Sequence, residues 1–215
     1  LFRLDGRGFV KDRRVENKIV VTCRYVSVLM SAILKAKGIP ARCRAGFAPY
    51  FHEGVSMDHW INQYYSKEKE RWITFDADGF YEEGGMPLSQ YDMPQESFDW
   101  AAEAYLATRS GKTDGRRFLY ADRLGTCSLP ALIRYLIYDF HALMNNELTY
   151  SFLPAYLDGR LDRLTEAELQ KLDTLAELLL EPDKHFDRLC AFWEREREFR
   201  ILNSPLVEAY DHLSS

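Results

Sequence analysis

The hydrophobic pattern changes period once between residues 24 and 75, and that change limits the fold more than any other feature of the chain. Over residues 24–37 the apolar side chains Val26, Leu29, Met30, Ile33 and Leu34 recur at helical spacing, and Gly38, Ile39 and Pro40 supply a stop. Downstream, Trp60, Ile61, Tyr64 and Tyr65, then Trp72, Ile73, Thr74 and Phe75, are aromatic and β-branched, with a charged stretch over 66–71 between them. An amphipathic helix followed by an antiparallel hairpin is the expectation. Residues 41–51 read as a further strand leading to a loop over 52–57, and Ile19, Val20 and Val21 as a lead-in strand or loop.

After Asp78 the composition shifts. Gly79, Gly84, Gly85 and Pro87 form a loop, and helices are predicted over 97–110, 129–145, 165–181 and 184–200. The third opens with Thr165 and Glu168 spaced as a capping box and closes at Pro182. Strands are expected to end before this half. The fold class is α+β: a helix carrying a cysteine packed on a small antiparallel sheet over 1–85, then a mainly helical region over 86–215 packed on that core.

With 215 residues and 47% apolar content the chain can bury one sizeable core. Its formal charge of -5 comes from 28 basic and 33 acidic residues mixed along the length, so no basic stripe for a phosphate backbone stands out. Nucleic acid is not an expected partner. No run approaches the roughly 18 apolar residues of a membrane span, and an export signal pattern is missing from the start. The first residue is Leu1 rather than Met, so processing or a fragment of a longer chain is expected. Cys23, Cys43, Cys127 and Cys190 are widely spaced without a CxxC pair, which fits a reduced, cytoplasmic setting.

Cys23 precedes the predicted helix, and His59 and Asp76 follow on the hairpin. A thiol at the first turn of a helix feels unsatisfied amides and the positive end of the dipole, which favours the thiolate and sets a backbone amide where an oxyanion would form. An imidazole can take the thiol proton and return it to a leaving amine, and a carboxylate holds the imidazole in its useful tautomer. If His59 and Asp76 face each other, Tyr65 pairs with Glu70 and residues 66–69 form the loop. Directly opposed Cβ atoms lie about 4.5 to 5.5 Å apart, close enough for that contact. Asp78 is the fallback carboxylate, needing a two-residue Glu68-Lys69 turn without the Gly or Asn such turns prefer.

At these residues the chain resembles the transglutaminase-like superfamily, whose core is related to papain-like thiol enzymes. Thr22-Cys23-Arg24, Gly38-Ile39-Pro40-Ala41-Arg42, Asp58-His59-Trp60 and Trp72-Ile73-Thr74-Phe75-Asp76 are similar to the family's nucleophile helix, its ending, its histidine strand and its aspartate strand. Met93-Pro94, residues 98–105 and Asn145-Asn146-Glu147-Leu148 resemble segments of an uncharacterised bacterial branch. The resemblance implies a Cys23, His59 and Asp76 triad and an acyl-enzyme, with water or an amine as acceptor. It implies a peptide, protein or small-molecule amide substrate, hydrolysis ahead of cross-linking, and no cofactor. Val21 stands where relatives often have glycine, and Asn17 is the residue upstream of the nucleophile considered as a second oxyanion donor.

Rival readings remain open. One is a catalytically silent peptide- or partner-binding module on the same fold. Another is a zinc-dependent hydrolase using Cys23, His52, His59 and Asp58, all ligand types for zinc. Trp60, beside the histidine, is a candidate for lining an acyl pocket or shielding the site. Arg24 either steadies the thiolate or caps a surface, and Asp58 is a solvated charge or a support for the loop before His59. Cys43, Cys127 and Cys190 read as structural. His141, His185 and His212 are expected on polar or partly buried helix faces, and the 194–200 charge run on a solvated one.

Overall fold

A computed structural model describes residues 10, 12–79, 90–120, 123–126, 128–146, 148–150 and 152–201, with the backbone alone at 123–126. The expectations placed on Gly84, Gly85, Pro87, Cys127, Glu147 and His212 lie outside these residues.

Helix α1, Cys23–Ala36, ends where Gly38 takes a φ of 74°. That left-handed turn lets the Ile39 amide reach back to the Leu34 carbonyl at 3.0 Å and the Gly38 amide to the Lys35 carbonyl at 2.9 Å. The helix does not bury its apolar stripe. Arg24, Ser27 and Ser31 point inward, whereas Tyr25, Leu29 and Ile33 are exposed. The small serines let the helix lie close on a strand and bond to it: Asn62 Nδ2 donates to the Ser27 carbonyl and to Ser31 Oγ, each at 2.8 Å, and Ser27 Oγ donates to the Trp60 carbonyl at 2.8 Å.

Strands β1, Ala41–His52, and β2, Val55–Ser66, form a long hairpin closed at Glu53 and Gly54, the glycine at a φ of 79°. The expected loop over 52–57 is therefore mostly strand. β3, Arg71–Phe75, pairs antiparallel with the end of β2 in a register different from the predicted one. Tyr65 faces Trp72 and Ser66 faces Arg71, so the loop is 67–70 rather than 66–69. Edge-on ring contacts between Tyr65 and Trp72 at 5.8 Å and between Tyr64 and Phe75 at 5.7 Å favour this register.

Strand formation continues past Asp78, contrary to expectation. β4, Asp99–Trp100, pairs with β1, β5, Phe118–Tyr120, runs parallel to β2, and β6, Arg123–Thr126, pairs with β5. The order is β4-β1-β2-β5-β6 with β3 also on β2, antiparallel except at the β2–β5 contact. β3 covers residues 62–66 of β2 and β5 covers 56–57 on the same edge. The first turns of α1 pack against the interval between them, through the Ser27 bond to Trp60.

The remaining helices are α2, Ala101–Arg109, α3, Leu129–Leu143, α4, Glu166–Leu180, and α5, Phe186–Arg195. Thr165 and Glu168 form the predicted capping box on α4. The first and last predicted helices are shorter than expected, because residues 95–97 and 197–199 take 3-10 turns and 99–100 pair as β4. On one side of the sheet, Cys43, Ala45, Phe47 and Trp60 share a core with Tyr105, Tyr135, Tyr138 and Leu175 from the helices. On the other side, Ala48, Tyr50, Ile61, Met93, Phe98 and Trp100 cluster. Among the described residues, no helix is long and apolar enough to cross a membrane.

Candidate active site

Cys23 is the first residue of α1, and its N-cap Thr22 is extended and makes no side-chain bond to the helix amides. The thiol is partly accessible, whereas His59 is 2% exposed and Asp76 fully buried. His59 Nε2 lies 2.9 Å from Asp76 Oδ2. The Cys23 sulfur, a His59 ring nitrogen and an Asp78 carboxylate oxygen lie within 4.8 Å of one another. With Nε2 held by Asp76, Nδ1 is the nitrogen left to serve the sulfur.

Alternation along β2 explains how these groups part from their neighbours. His59 and Ile61 project to the face carrying Tyr50, while Trp60 and Asn62 project to the face covered by helices. Trp60 is accordingly 1% exposed, with its ring 6.1 Å from that of Tyr138 and under the Arg24 guanidinium at 5.4 Å. It packs the core rather than an open acyl pocket. Arg24 is buried too, its guanidinium among the rings of Tyr25, Trp60 and Tyr150, so it caps no surface. Asp58 accepts a hydrogen bond from the Tyr135 hydroxyl and so ties β2 to α3.

Asp76 is held by three donors. The Tyr50 hydroxyl donates to Oδ2 at 2.8 Å, His59 shares the same oxygen, and the Asp78 amide donates to Oδ1 at 2.9 Å. Burial works against its charge, but the bonds and charge of His59 and these other donors hold the carboxyl below its ordinary value. His59 balances similarly. Burial disfavours its charge, yet the hydrogen bonds and charges of Asp76 and Cys23 raise it to about 10. The rings of Phe51 at 5.0 Å and Tyr50 at 6.3 Å meet the imidazole edge to face and keep water from it. Asp78, raised mainly by burial, sits at the accessible side of the group.

The proposed zinc quartet is not assembled. His52 is exposed at the tip of the β1–β2 hairpin, and Asp58 is engaged by Tyr135. The ligand types that do converge among the described residues are Cys23, His59 and Asp78. His141 is fully buried rather than on a polar face, with its ring nitrogens 3.2 Å from the Asn146 carbonyl and 2.8 Å from the Phe199 carbonyl. A cleft of about 670 Å³ lies apart from Cys23, and its arginines are already paired, Arg42 with Asp183, Arg71 with Asp92 and Arg44 with Asp139. The chemistry therefore concentrates at the start of α1.

Residues 13–77 match the family model of the transglutaminase-like superfamily. This segment is similar to transglutaminase-like superfamily domains. It spans the whole of α1 and the β1–β2–β3 unit that brings Cys23, His59 and Asp76 together. Neither a curated protein nor a solved structure matches the chain.

The contact that sequence reasoning missed is Tyr150, whose hydroxyl lies 3.7 Å from the Cys23 sulfur. It stands 127 positions along the chain from the cysteine, and no periodicity or spacing ties the two together. Asp78 was foreseen as an alternative partner for His59, and its carboxylate instead borders the sulfur and the imidazole.

Proposed function

We propose that the protein transfers acyl groups through Cys23, acting on an amide or peptide carbonyl with water as the acceptor. The observation that carries this reading is the buried His59–Asp76 pair at 2.9 Å with the Cys23 sulfur on its other side. A proton moved from Cys23 to His59 leaves a thiolate beside an imidazolium, which Asp76 stabilises and orients. The sulfur adds to the carbonyl carbon, His59 returns its proton to the leaving amine, and the C–N bond breaks to give a thioester. Water, deprotonated by His59, then hydrolyses the thioester. Placement of Cys23 at the first helical position supports the same reading, since orphan amides and the helix dipole face the sulfur. The wide spacing of the cysteines, without a CxxC pair, supports the reducing, cytoplasmic compartment that we assign.

Activity-based labelling with an electrophilic amide probe tests the assignment. Wild type should be labelled at Cys23, Cys23→Ala should be silent, and His59→Ala and Asp76→Asn should be slow. Undiminished labelling of Cys23→Ala would refute it.

A second reading has one observation behind it, the convergence of Cys23, His59 and Asp78 within 4.8 Å. Thiolate, imidazole and carboxylate suit zinc, and a carboxylate behind the histidine is a common support for such a ligand. Stoichiometric zinc in purified protein, lost in Asp78→Asn, would favour it over the thiol mechanism.

A further inference from the structure

Tyr150 brings a hydroxyl to the nucleophile from the helical half of the chain, and the group is firmly built. The Tyr138 hydroxyl donates to the Tyr150 carbonyl at 2.9 Å, and the two rings meet edge to face at 6.0 Å. The guanidinium of buried Arg24 stands 6.0 Å over the Tyr150 ring. Burial, then the charge and hydrogen bond of Cys23, push the phenol far above its ordinary value, so it keeps its proton throughout the neutral range.

Thr22 completes the arrangement. Its hydroxyl makes no bond to the amides of α1, and its influence on the Tyr150 phenol opposes the upward push of burial and Cys23. The phenol hydroxyl lies 3.7 Å from the Cys23 sulfur and can turn its proton to that side. The Cys23 amide is one of those that a helix start leaves without an intrahelical partner. Two groups able to donate, the Tyr150 hydroxyl and the Cys23 amide, thus belong to the neighbourhood of the nucleophile.

We infer that the Tyr150 hydroxyl is the second donor of the oxyanion hole, with the Cys23 amide as the first; the inference rests on the acyl-transfer reading of Cys23. As the bond from sulfur to the carbonyl carbon forms, the π pair of the carbonyl moves onto oxygen, and that oxygen accepts from both groups. When the pair returns, the C–N bond breaks and the amine leaves with the proton from His59. Preorganised donors of this kind act on charge that exists only during the reaction, so their effect falls on rate rather than on substrate binding.

Tyr150→Phe keeps the ring between Tyr138 and Arg24 and removes the donor. Two reactions on the same protein separate the roles. Iodoacetamide alkylates sulfur at a saturated carbon and builds no oxyanion, whereas p-nitrophenyl acetate acylates it through one. Acylation should fall about 10²–10³-fold, with alkylation of Cys23 little changed. Thr22→Val should lower acylation by a smaller factor, again sparing alkylation, and serves if Tyr150→Phe fails to fold. Unchanged acylation in the folded variants, or an equal fall in both reactions, would overturn the inference. A wild-type protein acylated no faster than Cys23→Ala would instead overturn the acyl-transfer reading, and this inference with it.

Discussion

His59 and Asp76 share a 2.9 Å hydrogen bond although the sheet does not pair them. The β2–β3 ladder ends with Asn62 facing Phe75, and at Asp76 the chain turns away, its amide donating to the Gln90 carbonyl at 3.0 Å. Release from the ladder lets the carboxylate return along the strand toward His59. The Tyr50 hydroxyl and the Asp78 amide hold it there.

Asp76→Asn preserves size and removes the charge behind the imidazole. Acyl transfer should fall about 10²–10⁴-fold, because an amide neither fixes the useful tautomer nor stabilises the imidazolium. The alkaline limb of the pH–rate profile should also move to lower pH, since Asp76 is among the groups that raise His59. Steady-state rates across pH measure both effects.

The same two groups give stability a pH signature. His59 is raised to about 10, so its stabilisation is fully present below its unfolded value and is lost as pH rises through about 10. Asp76 is lowered, so its stabilisation is present above its unfolded value and is lost as pH falls through the folded one. Urea midpoints of wild type and His59→Phe should differ most in mildly acidic solution, below the unfolded value of 6.5, and converge above pH 10.

Asp78 places a carboxylate within 4.8 Å of the Cys23 sulfur and the His59 ring. Burial, helped by the charge of Asp76 and opposed by that of His59, raises its carboxyl. Asp78→Asn removes a like charge from the neighbourhood of the thiolate, so iodoacetamide should alkylate Cys23 faster at neutral pH. Slower alkylation would show that the carboxylate mainly supports the imidazolium.

Arg44 and Asp139 form a buried bidentate pair between β1 and α3, with both contacts at 2.8 Å and the Ala45 amide also donating to Asp139 at 3.0 Å. Asp139→Ala leaves a guanidinium buried without its partner and should cost about 3–5 kcal/mol, read from urea denaturation. Replacing both residues with apolar ones of similar volume should recover much of the loss.

Residues 23–76 were readable because local signals agree there. Period 3.6 gives α1, aromatic and β-branched runs give β2 and β3, and Gly38 ends the helix where a left-handed residue is needed. The choice of Asp76 as the partner of His59 came from an assumed direct pairing, whereas the observed contact is made by a residue that has left the ladder. Strands β4 to β6, only 2 to 4 residues long, are too short to carry an alternation. The inward face of α1 was hidden for a different reason: Ser27 and Ser31 are buried by hydrogen bonds to a strand, which hydrophobic spacing does not report.

Residue order alone thus determined the elements around the nucleophile and the types of group available to them, since helix, hairpin and cap are consequences of short-range sterics and patterning. Tertiary structure decided which faces those elements bury, where Asp76 and Asp78 end up, and that Tyr150 stands 3.7 Å from Cys23. Such contacts depend on how α3 and the loop after it settle on the sheet. That packing is set by core volume and buried polar pairing, which spacing along the chain does not encode.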